Sequence, residues 1–151
     1  MKKALKSPVF NAVCISLFTA FYALIFLTGM ISGNSGGLPG YEGGSAFWKV
    51  WSDFLTAGNQ SCAAWMLIAV TVIVVILLLL RRRPYDEYHT SILSWCLVAA
   101  SMLTLAAIAV FYLVILSEPV WFLGKFTLFI LVHWGIIVFA NLTYVMISRW
   151  R

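Results

Sequence analysis

Four long stretches free of Asp, Glu, Lys and Arg dominate this sequence: residues 8–31, 62–80, 90–116 and 126–148. A helix crossing the hydrocarbon of a bilayer needs about 20 mostly apolar residues at about 1.5 Å of rise each. Every stretch meets or approaches that length. Each is apolar on all sides, as a helix surrounded by lipid is, and none shows the period-two alternation of a barrel strand. The pattern predicts an all-α integral membrane protein: a four-transmembrane-helix bundle forming one transmembrane domain over residues 1–151. A water-soluble globular domain is excluded, because only 10% of the residues are charged where such a domain carries about 25%.

Threading follows from the basic residues, which concentrate on the cytoplasmic side. Four spans put both termini on one side, together with Lys2, Lys3, Lys6, Arg81, Arg82, Arg83, Arg149 and Arg151, against two acids, Asp86 and Glu87. The other side holds Lys49 and Lys125 with Glu42, Asp53 and Glu118. The bias predicts cytoplasmic N- and C-termini and a place in the plasma (inner) membrane. The apolar stretch behind Met1-Lys2-Lys3 is longer than the roughly 7–15 residues of a signal-peptide core, and no clear small-x-small cleavage site follows, so an uncleaved anchor is expected.

The first outer loop, residues 32–61, opens with Gly- and Ser-rich turn chemistry. Its second part, residues 46–56, predicts a short amphipathic helix in the outer interface. Phe47, Trp48, Trp51, Phe54 and Leu55 fall on one side of it, and Lys49, Ser52, Asp53 and Thr56 on the other. Such a helix is a lid on the bundle or, alternatively, a docking surface. Trp48 and Trp51 are therefore candidate contacts to a partner or to lipid. Arg81, Arg82 and Arg83 are candidates of the same kind, placed to meet anionic headgroups and the negative end of the second span. Ser117, Glu118 and Pro119 resemble a helix start before the fourth span. The net charge of +5 reads as membrane-surface charge, with no nucleic-acid partner expected.

The uncharged spans also limit the chemistry. Ion-coupled carriers and proton relays place carboxylates within the membrane, and here there are none. The outer side offers one aspartate, Asp53, without a second to pair with it. The three cysteines, Cys14, Cys62 and Cys96, form no CxxC pair and read as small apolar residues. His89 lies at the inner rim, whereas His133 lies about 21 Å from that end of the fourth span. One haem iron cannot join them within a single chain. No cofactor, no metal and no enzymatic activity are expected.

The polar atoms that remain form a pattern. His133, Asn141, Tyr144 and Ser148 share one face of the fourth span, and Thr19, Thr71 and Thr104 fall near the middle of the other three. They either bond within and between helices or line a mid-membrane polar cavity. Small residues form stripes at Ala12, Ser16, Ala20 and Ala23, and at Cys96, Ala100, Thr104 and Ala107. Such stripes let membrane helices approach closely. They predict a packed core of the first, third and fourth spans, with the Val-, Ile- and Leu-rich second span facing lipid. The leading functional expectation is a non-catalytic subunit or scaffold in the lipid bilayer, working as a homo-oligomer or with other membrane subunits. The alternative is a small transporter or channel for an uncharged or weakly charged solute. A membrane enzyme completed by a partner is a third, weaker reading.

Overall fold

The computed structural model describes residues 7–33, 40–80 and 87–149. Among these residues the chain is all helix and turn, with no strand. The elements are α1 (Pro8–Gly33), α2 (Ala46–Thr56), α3 (Gln60–Leu79), α4 (Glu87–Ser117) and α5 (Phe122–Arg149). Four of them, all but α2, are long and apolar enough to cross a membrane. Arg81, Arg82 and Arg83 lie outside the described residues.

Local chemistry explains the breaks. Pro8 opens α1, where a missing N–H costs nothing. Between α2 and α3 the chain turns at Gly58, whose φ of 78° a glycine adopts without penalty. The Asn59 side chain donates to the Phe54 carbonyl across the same turn at 3.2 Å. Between α4 and α5, Pro119 interrupts the helical register, and Trp121 takes a left-handed φ of 61°. A bulky residue rarely adopts that conformation, and here it turns the indole under the start of α5.

α1, α3 and α5 pack on one another pairwise, while α4 lies along α5 and touches α1 more thinly. The core of three spans is thus the first, second and fourth, not the first, third and fourth that the small stripes suggest. The Val-, Ile- and Leu-rich α3 buries Ala64, Leu67, Thr71, Val74 and Leu78. This alternating three- and four-residue step is the seam of helices crossing at about 20°. α1 offers a similar face, in steps of four, three, four and four, with Ala12, Ser16, Thr19, Ala23 and Leu27, all buried. Of the 31 residues of α4, only Leu93 and Ala100 are buried. Its small stripe does meet α5, since Cys96, Ala99 and Ala100 face Gly135, Phe139 and Ala140 across a groove of about 380 Å³. Small side chains bring the two backbones together yet leave little area to bury, so the closest neighbour of α5 remains its most exposed one.

α2 forms where the sequence places it, with a different inward face. Ser52 and Leu55 are buried, and Trp48 and Trp51 are half-buried. Phe47 and Val50 point outward, 60% and 70% exposed. Helical spacing assigns Ser52 to the polar side. It turns inward because its hydroxyl accepts the Tyr41 amide at 2.9 Å.

Candidate functional site

Two polar arrangements stand out, one at the α2 end of the bundle and one between the helices. At the α2 end, Lys125 sits in the first turn of α5 with a fully buried side chain, 3.1 Å from the Glu118 carboxylate. Its ammonium also donates to the Glu118 backbone carbonyl at 2.5 Å and lies 5.3 Å from the centre of the Trp48 ring. The Tyr41 hydroxyl donates to the other carboxylate oxygen and accepts the Ser45 amide at 3.3 Å. Trp51 donates its indole N–H to the Gly124 carbonyl at 3.0 Å. Together these bonds fasten the segment before α2, and α2 itself, onto the α4–α5 turn.

Two glycines make room for this latch. A Cβ at Gly43 would run into the Tyr41 hydroxyl and the Glu118 carboxylate, and one at Gly124 into the Trp121 ring. The bond from Tyr41, then the one from Lys125, holds the Glu118 carboxyl below the ordinary carboxylate range. The same bond to Glu118, with burial, pushes the Tyr41 phenol up. By sequence Lys125 belongs to a loop and has no assigned partner. The available signal is two opposite charges seven residues apart, flanking a proline in otherwise greasy sequence.

Between the helices, the candidate residues find separate partners. Asn141, fully buried, donates to Ser16 of α1 at 2.8 Å. Thr71 of α3 accepts the Trp134 indole N–H at 2.8 Å. His133 bonds through Nδ1 to the Tyr22 hydroxyl of α1. Thr19 returns its hydroxyl to the Ile15 and Ser16 carbonyls of its own helix. Tyr144 is buried in the cluster with Ala12, Val74 and Leu93. The Thr104 hydroxyl oxygen is buried and has no partner among the described residues.

His133 and Asn141 are eight residues apart, about 12 Å along α5, so these pairs occupy different levels of the bundle. Tyr22, Ser16 and Trp134 are not among the site residues expected from the sequence. Tyr22 and Trp134 each combine a ring with one polar atom, which hides a hydrogen-bonding partner inside an apolar pattern.

Above His133, α5 carries a ladder of rings at Phe122, Phe126 and Phe129. Phe111 of α4 stacks on Phe129 with ring centres 4.8 Å apart, and Phe26 of α1 meets Phe126 edge-on at 5.0 Å. The chain matches no protein-family model, no curated protein and no solved structure.

Proposed function

We propose that the protein is a non-catalytic subunit or scaffold of a membrane assembly, with its termini in the cytoplasm and α2 lying in the outer interface. The observation that supports this most is α4. At about 1.5 Å per residue it runs about 46 Å, against about 30 Å of hydrocarbon. It leans on one main neighbour and exposes Trp95, Met102, Leu105, Leu113 and Leu116. A helix kept so long and so peripheral suits assembly with other spans, of a second copy or of another subunit. The outward Phe47, Val50 and Phe54 of α2 suit burial at headgroup level. Eight basic residues on the side of the termini support the orientation.

The transporter reading draws less support. His133, Asn141, Thr71 and Thr19 bond to other side chains or to their own helix, rather than sharing one cavity. The test is photo-crosslinking in native membrane from position 113 on α4 and from position 73 on the exposed side of α3. Adducts to protein from α4, with lipid alone labelled from α3, are expected. Lipid-only labelling from both helices would refute the scaffold.

A further inference from the structure

We infer that the α4–α5 seam, at the end where α2 lies, holds an anionic phospholipid, with one acyl tail in an apolar groove and the phosphate on Lys125. The inference rests on α2 lying at headgroup level. It does not depend on assembly, and so stands apart from the scaffold reading.

Two grooves lie along the α4–α5 pair, and they differ at their ends. The larger, of about 380 Å³, runs past Gly135 and is lined by α4 and α5 alone, with no charged residue. Any acyl chain fills such a groove, and nothing in it selects one. The second, of about 240 Å³, runs from Val114 to Ala107 on α4 and from Lys125 to Val132 on α5. Each path covers about 10 Å of helix rise. The two helices are antiparallel and the stacked Phe111 and Phe129 rings lie midway along the groove, so the paths stay level to within one residue. α5 begins at Phe122. Lys125 is thus about one turn below the helix start, and Val132 is about 15 Å down, half of a hydrocarbon layer about 30 Å thick. The groove is confined to one leaflet, and the tail of a lipid in that leaflet can follow it from the headgroup side.

The cation at the mouth is Lys125. Its side chain is fully buried, and its partner Glu118 has a side chain 31% exposed. Of the two, the carboxylate faces outward. A buried ammonium in apolar surroundings needs an anion beside it, but a phosphate meets that need as a carboxylate does. A phosphate arriving at the mouth replaces the Glu118 carboxylate, which turns to water, while the ammonium keeps its bond to the Glu118 backbone carbonyl. Glu118 then serves as the internal stand-in for a headgroup. The phosphate of a zwitterionic lipid carries its own ammonium, so a net anionic lipid gains more from Lys125.

Trp48 covers both parts of the site. Among the described residues it is the one groove-lining side chain from outside α4 and α5, and its ring lies 5.3 Å from the Lys125 ammonium. The indoles of Trp51 and Trp134 donate to Gly124 and Thr71. The Trp48 indole N–H donates to nothing among the described residues, and the ring is held by the ammonium and by Phe47. It can swing aside without breaking a hydrogen bond, and its N–H is then a second donor to the phosphate or to an ester carbonyl. A cation and an indole N–H at one end of an apolar groove are the complement of an anionic amphiphile. A neutral apolar molecule would use the groove without the cation, and a free anion the cation without the groove.

The test uses the full chain in phosphatidylcholine nanodiscs containing increasing phosphatidylglycerol. A photo-crosslinking residue is placed at position 128 in the groove or at position 66 on α3, where Met66 is 59% exposed, and adducts are identified by mass. Position 128 is expected to label phosphatidylglycerol saturably and about fivefold above its share of the bilayer, the effect of one lysine on an anionic lipid. Position 66 is expected to label each lipid in proportion to its share. Glu118→Gln removes the competing carboxylate and should lower the phosphatidylglycerol needed for half-saturation about tenfold, roughly one charged hydrogen bond. Lys125→Met should abolish the enrichment while position 128 still labels phosphatidylcholine.

Labelling at position 128 in proportion to bilayer composition, enrichment that survives Lys125→Met, or displacement of the lipid by inorganic phosphate would overturn the site. So would protein adducts from position 128, since a span of a second copy would then fill the groove. The wild-type titration decides the question even if Lys125→Met fails to fold. Crosslinking from position 113 can succeed or fail without altering any of these outcomes.

Discussion

α3 and α4 each carry a long uncharged stretch, residues 62–80 and 90–116, and by composition α4 is the better packer. It carries the stripe of Cys96, Ala100, Thr104 and Ala107, whereas α3 is mostly Val, Ile and Leu. Their roles are nonetheless exchanged. α3 sits against both α1 and α5 and buries five of its 20 residues. α4 leans on α5 and buries two of its 31. The difference teaches that hydropathy carries no sidedness in lipid, because the acyl chain is as apolar as the core. Polar atoms tell more. Thr71 on α3 receives Trp134 from α5, but Ser101 on α4 turns to its own Leu97 carbonyl and Thr104 bonds nothing among the described residues.

The largest effect expected from this contrast is on packing. Leu67 on α3 is fully buried and Leu113 on α4 is 67% exposed. Leu67→Ala should destabilise the protein by about 2 kcal/mol. That is the low end for a buried leucine, because the removed methyls lose packing but gain no water. Leu113→Ala should leave stability within about 0.5 kcal/mol of wild type. Thermal unfolding in detergent reads both. Equal losses, or the reverse order, would return α4 to the core.

Much of the fold is legible in the amino-acid sequence. The four spans follow from uncharged length alone, and α2 from the spacing of Phe47, Trp48, Trp51 and Leu55. The partners within the bundle are not legible, for a physical reason. In water the buried face of a helix is marked by its greasy residues, whereas on α3 the buried Leu67 and Val74 and the exposed Val72 and Ile73 are chemically alike. His133, Asn141 and Thr71 stand out as polar atoms, but their partners hide in Tyr22, Ser16 and Trp134. Lys125 escapes a sequence reading because α5 begins at Phe122, earlier than the apolar stretch does. One buried ion pair lets the helix start with a charge inside it.

The next effect is smaller and isolates the polar link that α3 has. A double-mutant cycle of Thr71→Val and Trp134→Phe should give a coupling of about 0.6 kcal/mol, the average for such bonds between membrane helices. Ser101→Ala on α4 should change stability by less than that, since its hydroxyl bonds within its own helix. A coupling near zero at Thr71 and Trp134 would remove polar pairing as what distinguishes the two spans and leave packing alone.

The smallest effect on global stability concerns how each span is held at the α2 end. α3 is joined to α2 by the short turn at Gly58, but the end of α4 is held through Glu118, the residue after its last turn. The folded carboxyl titrates below its ordinary value of 4.5, so the fold favours its charged form. That contribution is complete above about 4.5 and is lost as the pH falls through the lowered value. The folded Tyr41 phenol titrates above its ordinary value of 10.0, so its contribution is complete below about 10 and is lost as the pH rises through the raised value. The latch is therefore at full strength on a plateau between these limits. Protonation removes only the carboxylate's charge, and the Lys125 ammonium keeps its bond to the Glu118 carbonyl, so the opening is local rather than global. Hydrogen exchange in α2 and across the α4–α5 turn should be slow and flat over the plateau and should quicken at both ends, after correction for intrinsic pH dependence. Exchange in the middle of α3 should stay unchanged throughout. Glu118→Gln should abolish the acid limb, while acid opening that spread equally into α3 would mean that the two spans share one support and differ only in what they bury.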